Sequence, residues 1–145
     1  MGYLKIWVHL VWTTKNREPL LTPEIKKQLL EHIVKNAVDK DIYIDFINGH
    51  LEHVHCLISL GSGQNIDKIV MLLKGESSYW INKNKLIRQK FEWQKEYFAV
   101  SVSESSVNRV RDYIKNQEEH HRKRSFQEEY DEFMWKYNFD RFLSG

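Results

Sequence analysis

The sequence contains few of the features that mark secreted, membrane or linker-rich proteins. Its 145 residues include a single cysteine, Cys56, so no intrachain disulfide can form, which is compatible with a reducing cytoplasm. The apolar run from Ile6 to Trp12 is too short to cross a bilayer and is interrupted by His9. No small-residue cleavage site follows it, so no targeting segment is evident. We therefore expect a soluble cytoplasmic protein with no membrane partner.

The chain also lacks internal repeats, low-complexity tracts and linkers rich in proline or glycine. It has only 2 prolines and 6 glycines, and nothing in the sequence divides it. We predict one domain over residues 1–145, with a C-terminal helical extension over about 125–145. A chain of this length can bury roughly 68–70% of its unfolded surface, so its core needs no disulfide.

Net charge is small, at +2, and does not by itself indicate a nucleic-acid-binding protein. The basic residues are nevertheless clustered in two stretches, one over 83–95 and one over 109–124. Local basic patches can bind phosphate while the whole protein stays near neutral. Ordinary solvated helix faces are the alternative explanation. The candidate DNA ligands in these stretches are Lys83, Lys85, Arg88, Lys90, Arg109, Lys115 and Arg122.

The hydrophobic pattern predicts the element order β-α-β-β-α-β followed by two more helices. Four segments rich in β-branched and aromatic residues are predicted strands: 3–13, 42–47, 52–60 and 97–102. Helices are predicted to follow capping residues near positions 22, 65, 106 and 125, the third ending near 122 and the fourth near 137. Asn48-Gly49 predicts a hairpin in which the second and third strands pair antiparallel, through this two-residue turn or a slightly longer one. The order matches a ferredoxin-like α+β fold, with helices on one sheet face and the other face open for a ligand.

Two histidines stand one residue apart in the third predicted strand, as His53-Val54-His55. Because side chains alternate along a strand, both imidazoles should share one face, while Val54, Cys56 and Ile58 point to the core. Such a pair on a rigid strand can hold a metal ion. The motif alone is weak evidence, because a chain with 7 histidines often contains one by chance. Structural or incidental histidines are the more frequent explanation.

The third predicted helix adds a second pair of candidate residues, Tyr113 and Gln117. They are four residues apart and therefore share one helix face, with Cβ atoms ~5–6 Å apart. The phenol of Tyr113 is a possible nucleophile, and the amide oxygen of Gln117 is a possible neutral metal ligand. The alternative is that Tyr113 packs in an amphipathic helix and Gln117 is merely exposed.

Together, the His53-Val54-His55 motif and the Tyr113-x-x-x-Gln117 motif resemble those of the HUH single-tyrosine transposases. The resemblance covers nearly the whole chain and extends to residues 12–17, 93–101 and 120–126. It is closest to the insertion-sequence type and, among these, to the REP-associated tyrosine transposase branch.

The resemblance implies an enzyme that cuts and rejoins single-stranded DNA with hairpin ends through a 5′-phosphotyrosine on Tyr113. It implies that His53, His55 and Gln117 hold Mg²⁺ or Mn²⁺. His120 is a reserve ligand, because it is three residues beyond Gln117 and lies roughly on the same helix face. The resemblance also implies a homodimer in which the tyrosine helix of one subunit completes the histidine site of the other. Imidazole suits manganese or zinc better than magnesium, which prefers oxygen ligands.

Neighbouring residues receive no ligand role from the sequence. His9 and His50 are expected to be structural, and Glu52 is expected to face away from His53.

Three other functions remain open. The first is a metal-dependent nuclease that uses water, and the second is a non-catalytic nucleic-acid-binding module with exposed aromatic residues. The third, a structural zinc protein, is disfavoured by the single cysteine.

Overall fold

A four-stranded antiparallel sheet is the framework of the first 115 residues. The computed structural model describes residues 3–119 and 124–136. The strand order is β2-β3-β1-β4, so β1 and β3 are central. The strands are β1 (Trp7–Thr13), β2 (Tyr43–Gly49), β3 (His53–Ser59) and β4 (Phe98–Val102).

Three helices belong to the same unit: α1 (Pro23–Asp39), α2 (Ile66–Lys83) and α3 (Val107–Lys115). Helix α1 begins with Pro at its first position, where the missing N–H has no intrahelical partner to lose. Helix α2 is capped by the Asn65 side chain, whose oxygen accepts a hydrogen bond from the Lys68 N–H at 3.1 Å. The element order confirms the predicted ferredoxin-like α+β fold.

The first face of the sheet, here called the apolar face, packs against α1 and α2. It carries alternate side chains of β1 and β3, all at most 3% exposed: Val8, Leu10, Trp12, Val54, Cys56 and Ile58. Leu29 and Ile33 from α1 and Val70 and Leu73 from α2 close this core. The predicted direction of Val54, Cys56 and Ile58 is therefore confirmed.

The second face, here called the histidine face, carries His53 and His55. Helix α3 packs on it through Val107 and Ile114, which form a second buried cluster with Trp7 and Leu57. The prediction that this face would be left open is therefore wrong where α3 lies. Helix α3 covers this face because it is amphipathic and buries its apolar side against the apolar residues of the sheet.

The predicted antiparallel hairpin of β2 and β3 is confirmed, but its turn is longer than Asn48-Gly49, because both residues belong to β2. The connection to β3 instead spans residues 50–52. The Asn48 side chain contacts α3, where its Nδ2 donates a hydrogen bond to the carbonyl of Ile114 at 3.0 Å. A Cβ built on Gly49 would lie 2.3 Å from the His53 carbonyl oxygen, so glycine here permits close approach of β2 to β3.

Smaller differences concern element ends. Strand β1 begins at Trp7 rather than at residue 3, and α3 ends at Lys115 rather than near residue 122. Near the end of α1, Ala37 is buried while Val38 is 69% exposed.

The second unit, Asn116–Gly145, contains helix α4 (Phe126–Lys136). Its start is a capping box, in which the Glu128 N–H donates to Ser125 Oγ and the Ser125 N–H donates to Glu128 Oε1. Ser125 is thus confirmed as a cap, while the predicted end near residue 137 lies outside the described residues. The single-domain assignment stays a prediction. Among the described helices, none is both long enough and apolar enough to cross a membrane.

Candidate active site

His53 and His55 lie side by side on the histidine face of β3. Both side chains are fully buried, and their ring centroids are 5.0 Å apart with the ring planes at 79°. Strand alternation produces this pairing, as the sequence predicted. Two neutral imidazoles at this separation are compatible with a divalent metal site.

Glu52 orients the first of these histidines. Its Oε1 accepts a hydrogen bond from His53 Nδ1 at 2.7 Å, and its carbonyl is held by the Thr14 N–H at 2.8 Å. With the proton on Nδ1, the lone pair of His53 is on Nε2, the arrangement that metal-binding histidines use. The expectation that Glu52 faces away from His53 is wrong, because Glu52 precedes β3 and strand alternation does not apply to it.

His9 makes the corresponding contact with the second histidine. It is buried on β1, and its Nε2 lies 2.9 Å from His55 Nδ1, although the residues are 46 positions apart. If His55 Nδ1 donates this hydrogen bond, His55 Nε2 carries the lone pair that a metal ion requires. The sequence indicated only a structural histidine here, whereas the structure places it in direct contact with a candidate ligand.

Tyr113, the candidate nucleophile, lies on α3 against the same group. Its ring centroid is 5.5 Å from that of His55 and 6.2 Å from that of His9. The Tyr113 ring is arranged edge-to-face with both imidazoles. Tyr113 and His55 of one chain are therefore neighbours within the first unit. The structure brings together three residues that the sequence singled out: His53, His55 and Tyr113.

The remaining predicted ligands lie outside the first unit. Gln117 belongs to the second unit, so its role as the third metal ligand stays a prediction. His120, the reserve ligand, and Arg122, a candidate DNA ligand, lie outside the described residues.

Cys56 follows His55 in sequence but belongs to the apolar face. Its side chain is fully buried, and this burial raises the pKa of the thiol far above its usual range. A thiol of this kind stays protonated at neutral pH, so it serves as a small apolar core residue. Cys56 is therefore not a candidate nucleophile.

The other six candidate DNA ligands are exposed. Lys83 ends α2, and Lys85, Arg88 and Lys90 follow it in the segment before β4, while Arg109 and Lys115 lie on α3. Exposure is what phosphate contacts require. It is equally typical of solvated charges, so their role stays a prediction.

Comparison with known proteins identifies relatives of this arrangement. The model of the IS200-like transposase family matches residues 3–117. The ISDra2 transposase TnpA of Deinococcus radiodurans is 28% identical over 123 residues, covering 80% of this chain and 87% of that protein.

Two solved structures share the fold. The first is the crystal structure of a candidate transposase from Deinococcus radiodurans R1, 26% identical with a TM-score of 0.66, which covers 81% of this chain and 95% of that one. The second is a REP-associated tyrosine transposase bound to a REP hairpin, 21% identical with a TM-score of 0.59. It covers 80% of this chain and 68% of that one, and supports the fold alone.

Proposed function

This chain belongs to the IS200-like transposase family, and from that membership we propose that it cuts and rejoins single-stranded DNA through a covalent bond to Tyr113. The observation that carries the proposal is the position of the Tyr113 ring, 5.5 Å from the ring of His55 and on the same face as His53. A phenol beside two paired imidazoles has the parts needed for nucleophilic attack on a phosphate held by a metal ion.

The proposed reaction has two displacements at phosphorus. The Tyr113 hydroxyl attacks the scissile phosphate, the bond to the 3′ oxygen breaks, and that oxygen leaves as a hydroxyl after gaining a proton. The tyrosine keeps the 5′ phosphate as a phosphodiester. A second 3′ hydroxyl then attacks this phosphotyrosine, restoring the DNA strand and the free phenol. Because the phosphodiester is preserved, rejoining needs no nucleotide cofactor.

A divalent ion, Mg²⁺ or Mn²⁺, would supply Lewis-acid polarisation of the phosphate when bound. The donor set fits such an ion, because Glu52 holds His53 by Nδ1 and His9 contacts His55 by Nδ1, so that Nε2 is the ligating nitrogen of each. We propose Gln117 as the third ligand. All three ligands are neutral, so they would leave the full charge of the ion for the phosphate.

A tyrosine has an ordinary pKa of about 10 and is almost entirely protonated at pH 7. The charge that develops on its oxygen during attack and departure therefore needs stabilisation. His55 and His9 are the buried groups next to the Tyr113 ring, and they hold one another in a fixed orientation. We propose that this fixed pair keeps the phenol beside the metal-binding edge of the histidines.

DNA would be bound by its phosphates. We propose contacts from the exposed basic residues Lys83, Lys85, Arg88, Lys90, Arg109, Lys115 and from Arg122, which would make binding strongly salt-dependent. The structurally similar REP-associated enzyme was solved with a REP hairpin, and we propose that a DNA hairpin is also the substrate here.

We propose a homodimer and a cytoplasmic location. The family resemblance implies that Tyr113 serves the histidines of the other subunit, whereas its position beside His55 of its own chain supports a site completed within one chain. Mixing His53→Ala subunits with Tyr113→Phe subunits tests the sharing, after conditions that allow subunit exchange. Only an arrangement in which Tyr113 serves the partner's histidines regains cleavage in the mixture. If no mixed dimer regains cleavage, Tyr113 acts with the histidines of its own chain, beside which it lies.

The proposed function is tested by incubating the protein with single-stranded hairpin DNA and Mg²⁺ or Mn²⁺, followed by a denaturing gel. We expect a protein–DNA adduct and a free 3′ hydroxyl, both lost in Tyr113→Phe. Cleavage that persists in Tyr113→Phe would instead establish a nuclease that uses water. Binding without cleavage, and without a need for metal, would establish a non-catalytic binding module.

A further inference from the structure

We propose that strand β2 positions the tyrosine helix for reaction, with Asp45 and Asn48 as positioning residues that hold α3 so that Tyr113 stays beside His55. This inference rests on the proposed role of Tyr113 as nucleophile at the histidines of its own chain, the alternative that the subunit-mixing experiment tests. It assigns a function to two polar residues that lie outside the His-x-His and Tyr-x-x-x-Gln motifs.

A β-bulge in β2 directs side chains toward α3. In the pairing of β2 with β3, Ile44 lies opposite Ile58 and Phe46 lies opposite Leu57, so that Asp45 is an extra residue between them. Regular alternation would place only one of two successive residues on the histidine face. A bulge re-aims a side chain locally, and here it gives Asp45 and Phe46 the same helix to contact.

Phe46 makes the apolar part of this contact. It packs against the buried cluster formed by α3 and the histidine face, and Tyr113 packs against the same cluster. Ile44, on the other side of the bulge, packs instead against the core of the apolar face. The bulge therefore moves Phe46 to the face that α3 covers, while Ile44 before it and Ile47 after it pack against the core of the apolar face.

Asp45 makes the polar part through a two-pronged ion pair with Arg111 on α3. Arg111 Nε donates to Asp45 Oδ2 at 2.7 Å, and Arg111 Nη2 donates to Asp45 Oδ1 at 2.9 Å. The Asp45 side chain is only 10% exposed. Arg111 also donates to Asn108 Oδ1 at 2.8 Å, three residues earlier on the helix. Two parallel hydrogen bonds fix the rotation of the guanidinium, and with it the helix face two residues before Tyr113.

Asn48 holds the end of the same helix. Its Nδ2 donates to the carbonyls of Ile114 at 3.0 Å and Lys115 at 3.1 Å. The last carbonyls of a helix have no intrahelical partner, so a side-chain donor there fixes where the helix ends. Asn48 is also the residue of β2 that lies opposite His55. One side chain therefore links the residues just after Tyr113 to the strand position beside His55.

The polar contacts of Asp45 and Asn48 with α3 differ in effect from its apolar contacts with the sheet. Val107 and Ile114 already hold α3 on the sheet by burying apolar surface. Apolar packing is non-directional, whereas the ion pair and the carbonyl contacts set the rotation and the axial position of α3. A displacement of about 1 Å at a reacting group can slow a reaction by about 100-fold. We therefore expect loss of these contacts to change the rate more than the fold.

The test uses Asp45→Asn and Asn48→Asp, which keep size and remove, respectively, the charge and the donor. The matched control is Asp112→Asn, the same change on an exposed carboxylate of α3. Hydrogen exchange of free protein should speed up about 5- to 10-fold over residues 107–115 in both variants, with β3 and the control unchanged. Asp45→Glu, which keeps the carboxylate, should recover part of the protection.

The second readout is the single-turnover rate of adduct formation at saturating DNA. Both variants should be about 10- to 100-fold slower, while the Kd for DNA changes less than about twofold. Unchanged exchange over α3, or a slower rate without faster exchange, would overturn the proposal, as would faster exchange with an unchanged rate. If the unmodified protein forms no adduct at all, the proposed function fails, and the exchange result alone then decides whether β2 holds α3.

Discussion

The two faces of strand β3 differ in what they do with buried side chains. On the apolar face, Val54, Cys56 and Ile58 are buried against other apolar residues of α1, α2 and β1. On the histidine face, His53 and His55 are equally buried, but each has a polar partner within hydrogen-bond distance. The same strand therefore stabilises the fold with one face and arranges polar chemistry with the other.

The energetic terms behind the two faces differ. Fully burying an aliphatic side chain stabilises a fold by about 1.5–3 kcal/mol and requires no particular partner. A buried polar group without a hydrogen bond costs about 1–3 kcal/mol, so it depends on specific neighbours. Substitutions on the apolar face should therefore lower stability, whereas those on the histidine face should lower metal binding and catalysis.

The largest effect is expected for His55→Ala. It removes one proposed ligand, so adduct formation should fall by about 10²–10³-fold or more. Mn²⁺ binding, measured by calorimetry, should be lost as well. The matched control is His32→Ala, because His32 pairs with Glu76 between α1 and α2, away from the site. Equal losses in both variants would mean that the histidine face has no special role.

Ile58→Ala, a change on the other face of the same strand, should separate stability from chemistry. The lost contacts and the resulting cavity should lower the free energy of unfolding by about 2–5 kcal/mol in a denaturant titration. The folded fraction should still bind Mn²⁺ and form the adduct at the unmodified rate. Val38→Ala is the control, since Val38 is 69% exposed and its loss should change stability by less than about 0.5 kcal/mol.

Glu52→Gln tests whether the histidine face depends on its polar partners. The amide keeps the shape of the side chain but removes the charge that orients His53, so Mn²⁺ affinity should fall by about 10- to 100-fold. Stability should change little. Glu92→Gln is the control, because Glu92 pairs with Lys15 at an exposed site. Unchanged affinity in Glu52→Gln would show that the contact with His53 does not tune the metal site.

The smallest effects are expected for a pair of glycines. Gly49→Ala places a Cβ against the His53 carbonyl, so the backbone must shift, at a cost of about 1–3 kcal/mol. Metal affinity should weaken with it. Gly75→Ala meets no atom within 4 Å and should stabilise α2 by about 0.5–1 kcal/mol. Thermal unfolding measures both, and a stabilising Gly49→Ala would contradict the close approach of β2 to His53.

The sequence was sufficient to predict the apolar face because strand alternation is a local rule. It placed Val54, Cys56 and Ile58 correctly, and local capping rules likewise identified Asn65 and Ser125. The motif residues His53, His55 and Tyr113 could also be singled out, since each is part of a short spaced pattern.

The polar partners of the histidine face could not be predicted in the same way. His9 reaches His55 only because β1 pairs with β3, and this register is not visible in a single sequence. The Glu52 side chain was expected on the face opposite His53 because the predicted strand began one residue before β3 does. Phe46 and Asn48 reach α3 only because of the bulge at Asp45, which shifts every later residue of β2 to the opposite face from simple alternation.

One measurement tests most directly whether the histidine face performs tyrosine chemistry. The protein is reacted with single-stranded hairpin DNA and Mn²⁺, trimmed with nuclease, digested with protease and analysed by mass spectrometry. The account predicts that the peptide containing Tyr113 gains the mass of a 5′-phosphorylated nucleotide, and that this gain is absent without metal. Cleaved DNA accompanied by an unmodified Tyr113 peptide at every time point would contradict it.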